Sequence, residues 1–443
     1  MAEPGAPDGA KPRRDTYAAL RYPNFSRYII CLFCFTLGIQ IQGTVVGWQI
    51  YDLTKDPLAL GLIGLAEALP ALSTALYAGH VADLRDRRRI ALAALSVLVL
   101  CSLALWFLAG PHVVGVELVH ESRLTAIYGV IVVSGVARAF LQPARQALSA
   151  ELVPRALYTN AITWRTGSWQ LASVMGPAIG GLLYALGGSP LAYAVDAVLM
   201  VTAVTVMVSI RHRSPIRVAT GESVFTSVSG GVRFVMGEPL ILGALTLDLF
   251  SVLFGGAVAL LPIFAAEILH VGPTGLGILR AAPAAGAVLT TTLLARNRDF
   301  DRSGHVLLAA VAGFGTCMVL FGLSTSFYLS VALLLVSGMC DMVSVVIRST
   351  LLQSRTPEAL LGRVSAVNLI FVGSSNEIGA FESGVTARWW GTSRSVVIGG
   401  LATLGVVGAV AWLVPSLRRM GRMMPDEADV LVAQAVAPHP STP

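Results

Sequence analysis

The chain has 443 residues, of which 55% are hydrophobic and only 13% are charged, against about 25% charged in an ordinary soluble domain. This composition excludes a water-soluble globule and places most of the chain in lipid. The net charge of +6 comes from arginines that flank apolar stretches. No basic stretch is interleaved with exposed aromatic residues, so a nucleic-acid partner is not indicated.

Twelve apolar stretches follow one another along the chain, each long enough to cross a bilayer. A bilayer core of about 30 Å needs about 20 apolar helical residues, and a helix satisfies its own backbone in lipid. We therefore predict an all-α membrane protein with twelve transmembrane helices. Their predicted spans are 26–50, 57–81, 90–110, 124–144, 159–186, 190–210, 240–265, 274–295, 304–324, 327–347, 364–386 and 395–415.

The two ends of the chain, 1–25 and 416–443, are predicted to be flexible tails. The first is rich in Pro, Gly, Ala and charge and lacks the apolar core of a signal peptide. With the N-terminus in the cytoplasm, most of the 31 lysines and arginines fall in the tails and cytoplasmic connections, and the opposite loops hold only Lys55, Arg123, Arg388 and Arg394. The positive-inside rule then predicts both termini in the cytoplasm.

Two parts of the chain coincide when one is shifted by 203 residues. Val133-Ser134-Gly135 aligns with Val336-Ser337-Gly338, and the same offset aligns Arg145 with Arg348, Pro154 with Pro357, Gly176 with Gly379 and Gly181 with Gly384. The offset maps helix 4 onto helix 10 and helix 5 onto helix 11. We therefore predict two six-helix halves, 26–210 and 240–415, joined by a cytoplasmic linker, 211–239. Parallel repeats of this kind are typical of transporters with a substrate site between the halves.

Helix 2 ends in a glycine, an aspartate four residues on and a basic run, at Gly79, Asp83, Arg85, Arg87 and Arg88. This pattern resembles the cytoplasmic signature of the major facilitator superfamily. At the position of the signature's second glycine this chain has Asp86. In this substitution the chain resembles the branch of the superfamily that contains enterobactin exporters and macrolide efflux pumps. The resemblance implies a gate that charge-assisted bonds lock in one conformation and release in the other. A solvated arginine run is the alternative.

Helix 5 carries a second such pattern, at Gly176, Pro177, Gly180 and Gly181. It resembles the core of the glycine-proline signature associated with antiporters of the same superfamily, which implies export. The alternative is a close, bendable helix contact, because small residues and proline allow that in any membrane protein.

Ionisable residues inside the predicted spans are costly, at least ~2.5–3.5 kcal/mol each at the bilayer centre, and should face a partner or a cavity. They are Glu67, Arg138, Arg165, Asp196, Asp248, Arg280, Asp341, Arg348, Glu377 and Glu382. Arg138 and Asp341 are equivalent under the repeat. In the fold that the chain resembles, helices 1, 4, 7 and 10 line a central cavity, which implies that these two residues face each other or a shared ligand there. A purely structural pair is the alternative. Asp341, Asp248 and Glu67 are the candidates for proton coupling.

Helix 1 offers neutral polar groups for the same cavity. Gln42 and Gln49 are seven residues apart and share a face, with Trp48 alongside. Together with Arg138 they would suit a large, partly polar organic substrate. Packing in the helix bundle explains Trp48 equally well.

The sequence shows no phosphate-binding glycine loop, no Cys/His cluster with metal spacing and no catalytic constellation. We therefore expect that the protein is not an enzyme and binds no cofactor. We expect an ion gradient to supply the energy for transport. The resemblance implies a monomeric secondary transporter in the cytoplasmic membrane that exports a small siderophore- or drug-like compound by proton antiport with alternating access. An importer or lysolipid flippase on the same fold, and a non-transporting receptor, remain as alternatives.

Overall fold

The computed structural model describes residues 15–110, 120–212, 224–294 and 302–421. The first half of the chain begins with four long helices, α1 (Pro23–Thr54), α2 (Pro57–Leu84), α3 (Arg87–Ala109) and α4 (His120–Glu151). The helical stretch Tyr158–Ser209 leaves helical geometry at Gly187 and Gly188, so it forms two helices, α5 (158–186) and α6 (189–209). Gly188 has a φ of 68°, which favours glycine.

The second half contains α7 (Pro239–Phe254), α8 (Gly272–Leu294), α9 (Ser303–Leu323), α10 (Phe327–Arg355), α11 (Glu358–Trp390) and α12 (Thr392–Leu413). After α7 the chain continues through a 3-10 turn, Ala257–Leu260, and a π-helical turn, Phe264–Ile268. A linker helix, Val224–Gly237, precedes α7.

The predicted class, an all-α membrane protein, is confirmed. In the described residues, ten helical stretches are long and apolar enough to cross a membrane. One of them, Arg155–Ser209, contains both α5 and α6. α11 is not among the ten; several of its side chains, at 366, 369, 370 and 374, lie outside what the structure describes. The order of the helices agrees with the predicted twelve-helix plan.

Each half forms its own bundle. In the first half, α1 packs along the α5–α6 stretch, and α4 packs against α2 and α3. In the second half, α8 packs against α10, and α9 packs against α10 and α12. The two halves meet along two helix pairs, α2 with α11 and α5 with α8.

Both ends of the described chain pack against the same end of the bundle. Ala19 donates a backbone hydrogen bond to the side chain of Asn160, and Trp164 donates to the carbonyl of Thr16. Leu417 is fully buried, and the carbonyl of Met420 accepts a bond from α9. Residues 15–25 and 416–421 therefore contact the bundle at a few positions, and most of their side chains are exposed. Residues 1–14 and 422–443 lie outside the described ranges, so the flexible tails stay a prediction. We call this end of the bundle the termini face and the opposite end the far face.

The linker helix packs against α11. A Cβ at Gly231 would lie 2.8 Å from the carbonyl oxygen of Arg363, so only glycine allows this approach. Val235 is buried while Val232 is exposed, so one side of the helix faces the bundle.

Candidate functional site

The two halves touch at the far face through glycines. A Cβ at Gly61 of α2 would lie 3.0 Å from the Cα of Gly384 in α11. A Cβ at Gly181 of α5 would lie 3.0 Å from the Cα of Gly277 in α8. Small residues let helix backbones approach this closely. These two contacts hold the halves together at the far face.

Polar contacts reinforce the same closure. Asp56, which caps α2, forms an ion pair of 3.4 Å with Arg388 near the end of α11. The hydroxyl of Tyr51 in α1 donates a hydrogen bond to Glu267 in the π-helical turn. Each contact joins one half to the other.

The lining residues of a cavity between the halves differ in exposure along its length. Leu60 and Leu334, near the far-face contacts, are 2% and 1% exposed, whereas Trp169, nearer the termini face, is 49% exposed. The space between the halves is thus closed at the far face and open toward the termini face.

A cavity of about 730 Å³ lies between the halves. It is lined by α1, α2 and α5 from the first half and by α7 to α11 from the second. Cavities of 300–1,000 Å³ accommodate a small organic molecule.

Four charged residues lie where the cavity approaches the far-face contacts. Glu67 of α2 forms an ion pair with Arg138 of α4. Arg280 of α8 donates a 3.0 Å hydrogen bond to the carbonyl of Gly43 in α1, across the two halves. Glu377 of α11 interacts electrostatically with both arginines.

This charge cluster (Glu67, Arg138, Arg280 and Glu377) contains two charges of each sign. A Cβ at Gly64 of α2 would lie 3.5 Å from a carboxylate oxygen of Glu377, so this second-half carboxylate reaches the first half. Opposite charges in proximity reduce the cost of each charge at membrane depth. Separating the halves here would also separate charges of opposite sign.

Asp341 of α10 lines the cavity with an exposed side chain. Within the part of the chain that the structure describes, it makes no ion pair. Two turns further along α10, Arg348 forms an ion pair with Asp248 of α7. Both side chains of that pair are only 6% exposed, and neither residue lines the cavity.

The predicted facing of Arg138 and Asp341 is wrong, and so is the placement of Asp248 in the cavity. Arg138 meets Glu67 because α4 packs along α2 inside the first half, so a carboxylate is available without crossing the cavity. Asp248 turns toward Arg348 of its own half. Asp341 and Glu67 do line the cavity.

The polar residues predicted on helix 1 face α5 and α6 instead of the cavity. Gln42 donates a 3.2 Å hydrogen bond to Asp196 of α6, and Gln49 accepts one of 2.7 Å from Tyr193. Trp48 packs edge-on against a tyrosine of α5. These residues join helices of the first half.

The side of α1 that does line the cavity carries Gln40, Gly43 and Gly47. Their spacing of three and four residues puts them on one face of a helix. The spacing of these three residues is a sequence signal for a helix face, but the pair Gln42 and Gln49 is more polar and predicts a different face.

The basic run after α2 binds neighbouring elements of the first half. Arg87 forms an ion pair with Glu151 at the end of α4, and Glu151 also contacts His212 at 3.2 Å. Arg88 donates a 2.7 Å hydrogen bond to the carbonyl of Val208 in α6. These contacts connect the start of α3 with the ends of α4 and α6, all of which are predicted to lie in the cytoplasm.

The rest of the predicted gating motif lies in the last turns of α2 and just after it. Asp86 caps α3, accepting hydrogen bonds from two backbone amides. Gly79 belongs to α2, which ends at Leu84, and Arg85 follows in extended backbone. The side chain of Asp83 lies outside what the structure describes, so its pairing stays a prediction.

The glycine-proline motif of α5 lies in two helix contacts. A Cβ at Gly180 would lie 3.2 Å from the Cα of Ile41 in α1, and Gly176 also packs against α1. Gly181 and the carbonyl of Pro177 contact α8. The motif therefore provides close packing within the first half and across the far-face contact.

Substituting leucine for Gly277 should push the far face open. Its Cβ would lie 2.5 Å from the carbonyl oxygen of Pro177, so α5 and α8 could not close. We expect a cysteine placed at Leu60, which is 2% exposed beside the far-face contact, to react at least about tenfold faster with an impermeant maleimide, a shift of ~1.4 kcal/mol. Gly405→Leu is the control, because a Cβ there meets nothing within 4 Å. Equal labelling of both variants would contradict the assignment of this contact.

Arg280 and Glu377 are among the ionisable residues predicted to face a partner or a cavity, and both line the cavity. Trp169 and Gln170 of α5, which line the cavity from the first half, were not predicted from the sequence. Both lie in an apolar span next to exposed residues, and no local pattern distinguishes them from packing residues.

Comparisons with known proteins agree with this architecture. Residues 14–438 match the family model MFS_3, transmembrane secretion effector. The enterobactin exporter EntS of Shigella flexneri is 27% identical over 348 residues, covering 78% of this chain and 80% of that protein. EntS of Escherichia coli O1:K1 is 26% identical, with coverage of 78% and 81%.

Among solved structures, the fold is similar to the nucleoside transporter NupG, with a TM-score of 0.69, 13% identity and coverage of 88% of this chain and 99% of that one. A bacterial homologue of the lysosomal transporter Spinster gives a TM-score of 0.70 at 14% identity, with coverage of 93% and 98%. At these identities the likeness concerns the fold alone. With the family model matched along nearly the whole chain, the protein belongs to the transmembrane secretion effector family of major facilitator transporters.

Proposed function

We propose that this transporter exports a small organic compound from the cytoplasm by proton antiport, with alternating access to one central cavity. The observation that carries the proposal is that cavity, which is closed by the far-face contacts and open toward the termini face. If the termini are cytoplasmic, this conformation receives its substrate from inside the cell.

Export is supported by the relatives, since the enterobactin exporters share 26–27% identity with most of the chain. Proton coupling is supported by Asp341, an exposed carboxylate with no ion-pair partner among the described residues. Its charge becomes costly when the cavity closes to water, and a bound proton removes that cost. Loss of the proton to the cytoplasm then allows the next cycle.

A screen in inside-out membrane vesicles tests this function. Vesicles containing the protein, with an acidic lumen, should accumulate at least one organic compound that control vesicles do not. Collapse of the pH gradient with nigericin should stop the accumulation. Uptake that is indifferent to nigericin, or that occurs only in right-side-out vesicles, would argue for an importer or a uniporter.

The orientation can be tested separately. In a cysteine-free background, a cysteine in the loop that follows Pro111 should react with an impermeant maleimide added to intact cells, and a cysteine at Arg213 should not. The reason is the excess of arginine and lysine on the side of the termini. Both positions lie outside the described ranges, so the sequence alone makes this prediction. Labelling at Arg213 from outside would reverse the proposed direction of transport.

A further inference from the structure

The charges that line the cavity do not cancel. Among the described lining residues the ionisable side chains are Glu67, Arg280, Asp341 and Glu377. Glu67 forms an ion pair with Arg138, and Glu377 interacts electrostatically with Arg138 and Arg280. The three lining carboxylates therefore have two guanidinium groups between them, and Asp341 is the carboxylate on which neither of these acts.

The nearest cation along α10 does not fill this gap. Arg348 is bound by Asp248, and both members of that pair act on Asp341 with opposite sign. A cavity whose charges otherwise pair therefore carries one excess negative charge. Such a cavity favours a ligand with one positive charge and disfavours an anion.

An aromatic side chain lies across the cavity at the same depth. Thr291 of α8 accepts a 3.3 Å hydrogen bond from Gln170, next to Trp169. The adjacent Thr290 donates a 3.3 Å bond to the carbonyl of Met339, two residues before Asp341. Trp169 is 49% exposed and lines the cavity. A carboxylate on the second half and an indole on the first thus face the same level of the cavity.

We infer that the substrate is a monovalent organic cation with an aromatic or apolar body, its positive group held by Asp341 and its body against Trp169. The inference rests on the proposed function for its view of the cavity as the substrate site. An indole ring favours both aromatic surfaces and nearby cations. Gln170, Gln40 and Asn376 add neutral hydrogen-bonding groups to the same cavity.

The test compares two probes of matched shape and opposite charge, tetraphenylphosphonium and tetraphenylborate, with rhodamine 6G as a second cation. Binding to purified full-length protein is measured by equilibrium dialysis, without any gradient. At least one cation should bind more tightly than the borate. Asp341→Asn should weaken cation binding at least about tenfold, which equals ~1.4 kcal/mol, and leave the borate unaffected or tighter.

Two further variants keep the test decisive. Asp341→Glu retains the charge and should restore the preference for the cation, and Trp169→Ala should weaken binding of both cations. Glu382→Gln removes a carboxylate of α11 that does not line the cavity and should change nothing. Thermal unfolding of each variant shows whether it is folded.

Three results would overturn the inference: neither cation binds, the borate binds more tightly than both cations, or Asp341→Asn leaves cation affinity unchanged. Because no gradient is used, the two proposals fail separately. Cation binding without gradient-driven transport would contradict the proposed function and leave this inference standing. Gradient-driven export of neutral or anionic compounds, with no cation binding, would contradict this inference and leave the proposed function standing.

Discussion

Asp341→Asn is expected to abolish accumulation of substrate against its gradient. The substitution keeps the size of the side chain and removes a carboxylate of the cavity wall that has no ion-pair partner among the described residues. Without that group the cavity has the same charge whether the lumen is acid or neutral, so a pH gradient cannot drive the cycle. Downhill exchange, which needs no net proton movement, should persist at lower affinity.

The measurement is uptake into inside-out vesicles at matched protein levels, with and without an acidic lumen. Glu382→Gln serves as the control and should accumulate substrate as the wild type does. If Asp341→Asn still accumulates substrate uphill, the coupling site lies elsewhere. Glu67 would then be examined first, because it lines the cavity, followed by Asp248.

Arg348→Gln should destabilise the second half severely. Its removal leaves Asp248 charged and buried between α7 and α10 with a side chain only 6% exposed. Breaking one partner of a buried pair costs about 3–5 kcal/mol, because the remaining charge is uncompensated. We expect a large fall in folded protein in the membrane and in the thermal midpoint of the purified variant.

Asp248→Asn combined with Arg348→Gln removes both charges and should recover most of the lost stability. Arg355→Gln, an exposed position in the last turn of α10, is the control and should have little effect. If Arg348→Gln alone has the same thermal midpoint as the wild type, the Asp248–Arg348 contact contributes little to stability.

The helix plan was predictable because it depends on local composition. Each span is a run of apolar residues of nearly fixed length, and lipid leaves a helix as the only way to satisfy the backbone. The break between α5 and α6 was also predictable, since Gly187, Gly188 and Pro190 interrupt the apolar sequence there.

The side-chain partners were less predictable because the repeat preserves positions and not partners. Arg145 and Arg348 are equivalent at the 203-residue offset. Arg348 pairs with Asp248 of α7, whereas the guanidinium of Arg145 lies 5.5 Å from the ring of Phe35 in α1. Equivalent arginines thus contact different kinds of side chain on the neighbouring helix.

Which polar residues face the cavity depends on the rotation of each helix, and helix periodicity alone does not fix that rotation. On α1, the glutamines at 42 and 49 and the group formed by Gln40, Gly43 and Gly47 define two different faces. The packing of α1 against α6 decides between them. The cavity face is the one with small residues, because the backbone of Gly43 must approach Arg280 of the other half.

Paired spin labels test alternation between the two faces most directly. One pair, at Lys55 and Trp389, spans the far-face contact and leaves the Asp56–Arg388 ion pair intact. The other pair, at Leu84 and Arg355, spans the two halves at the termini face. Distances would be measured by pulsed electron resonance in lipid nanodiscs from pH 5 to pH 9, with Gly277→Leu as a reference for the open far face. The account predicts that the far-face distance lengthens as the termini-face distance shortens, in the same fraction of molecules. Distances that stay fixed under every condition, or that lengthen together, would contradict it.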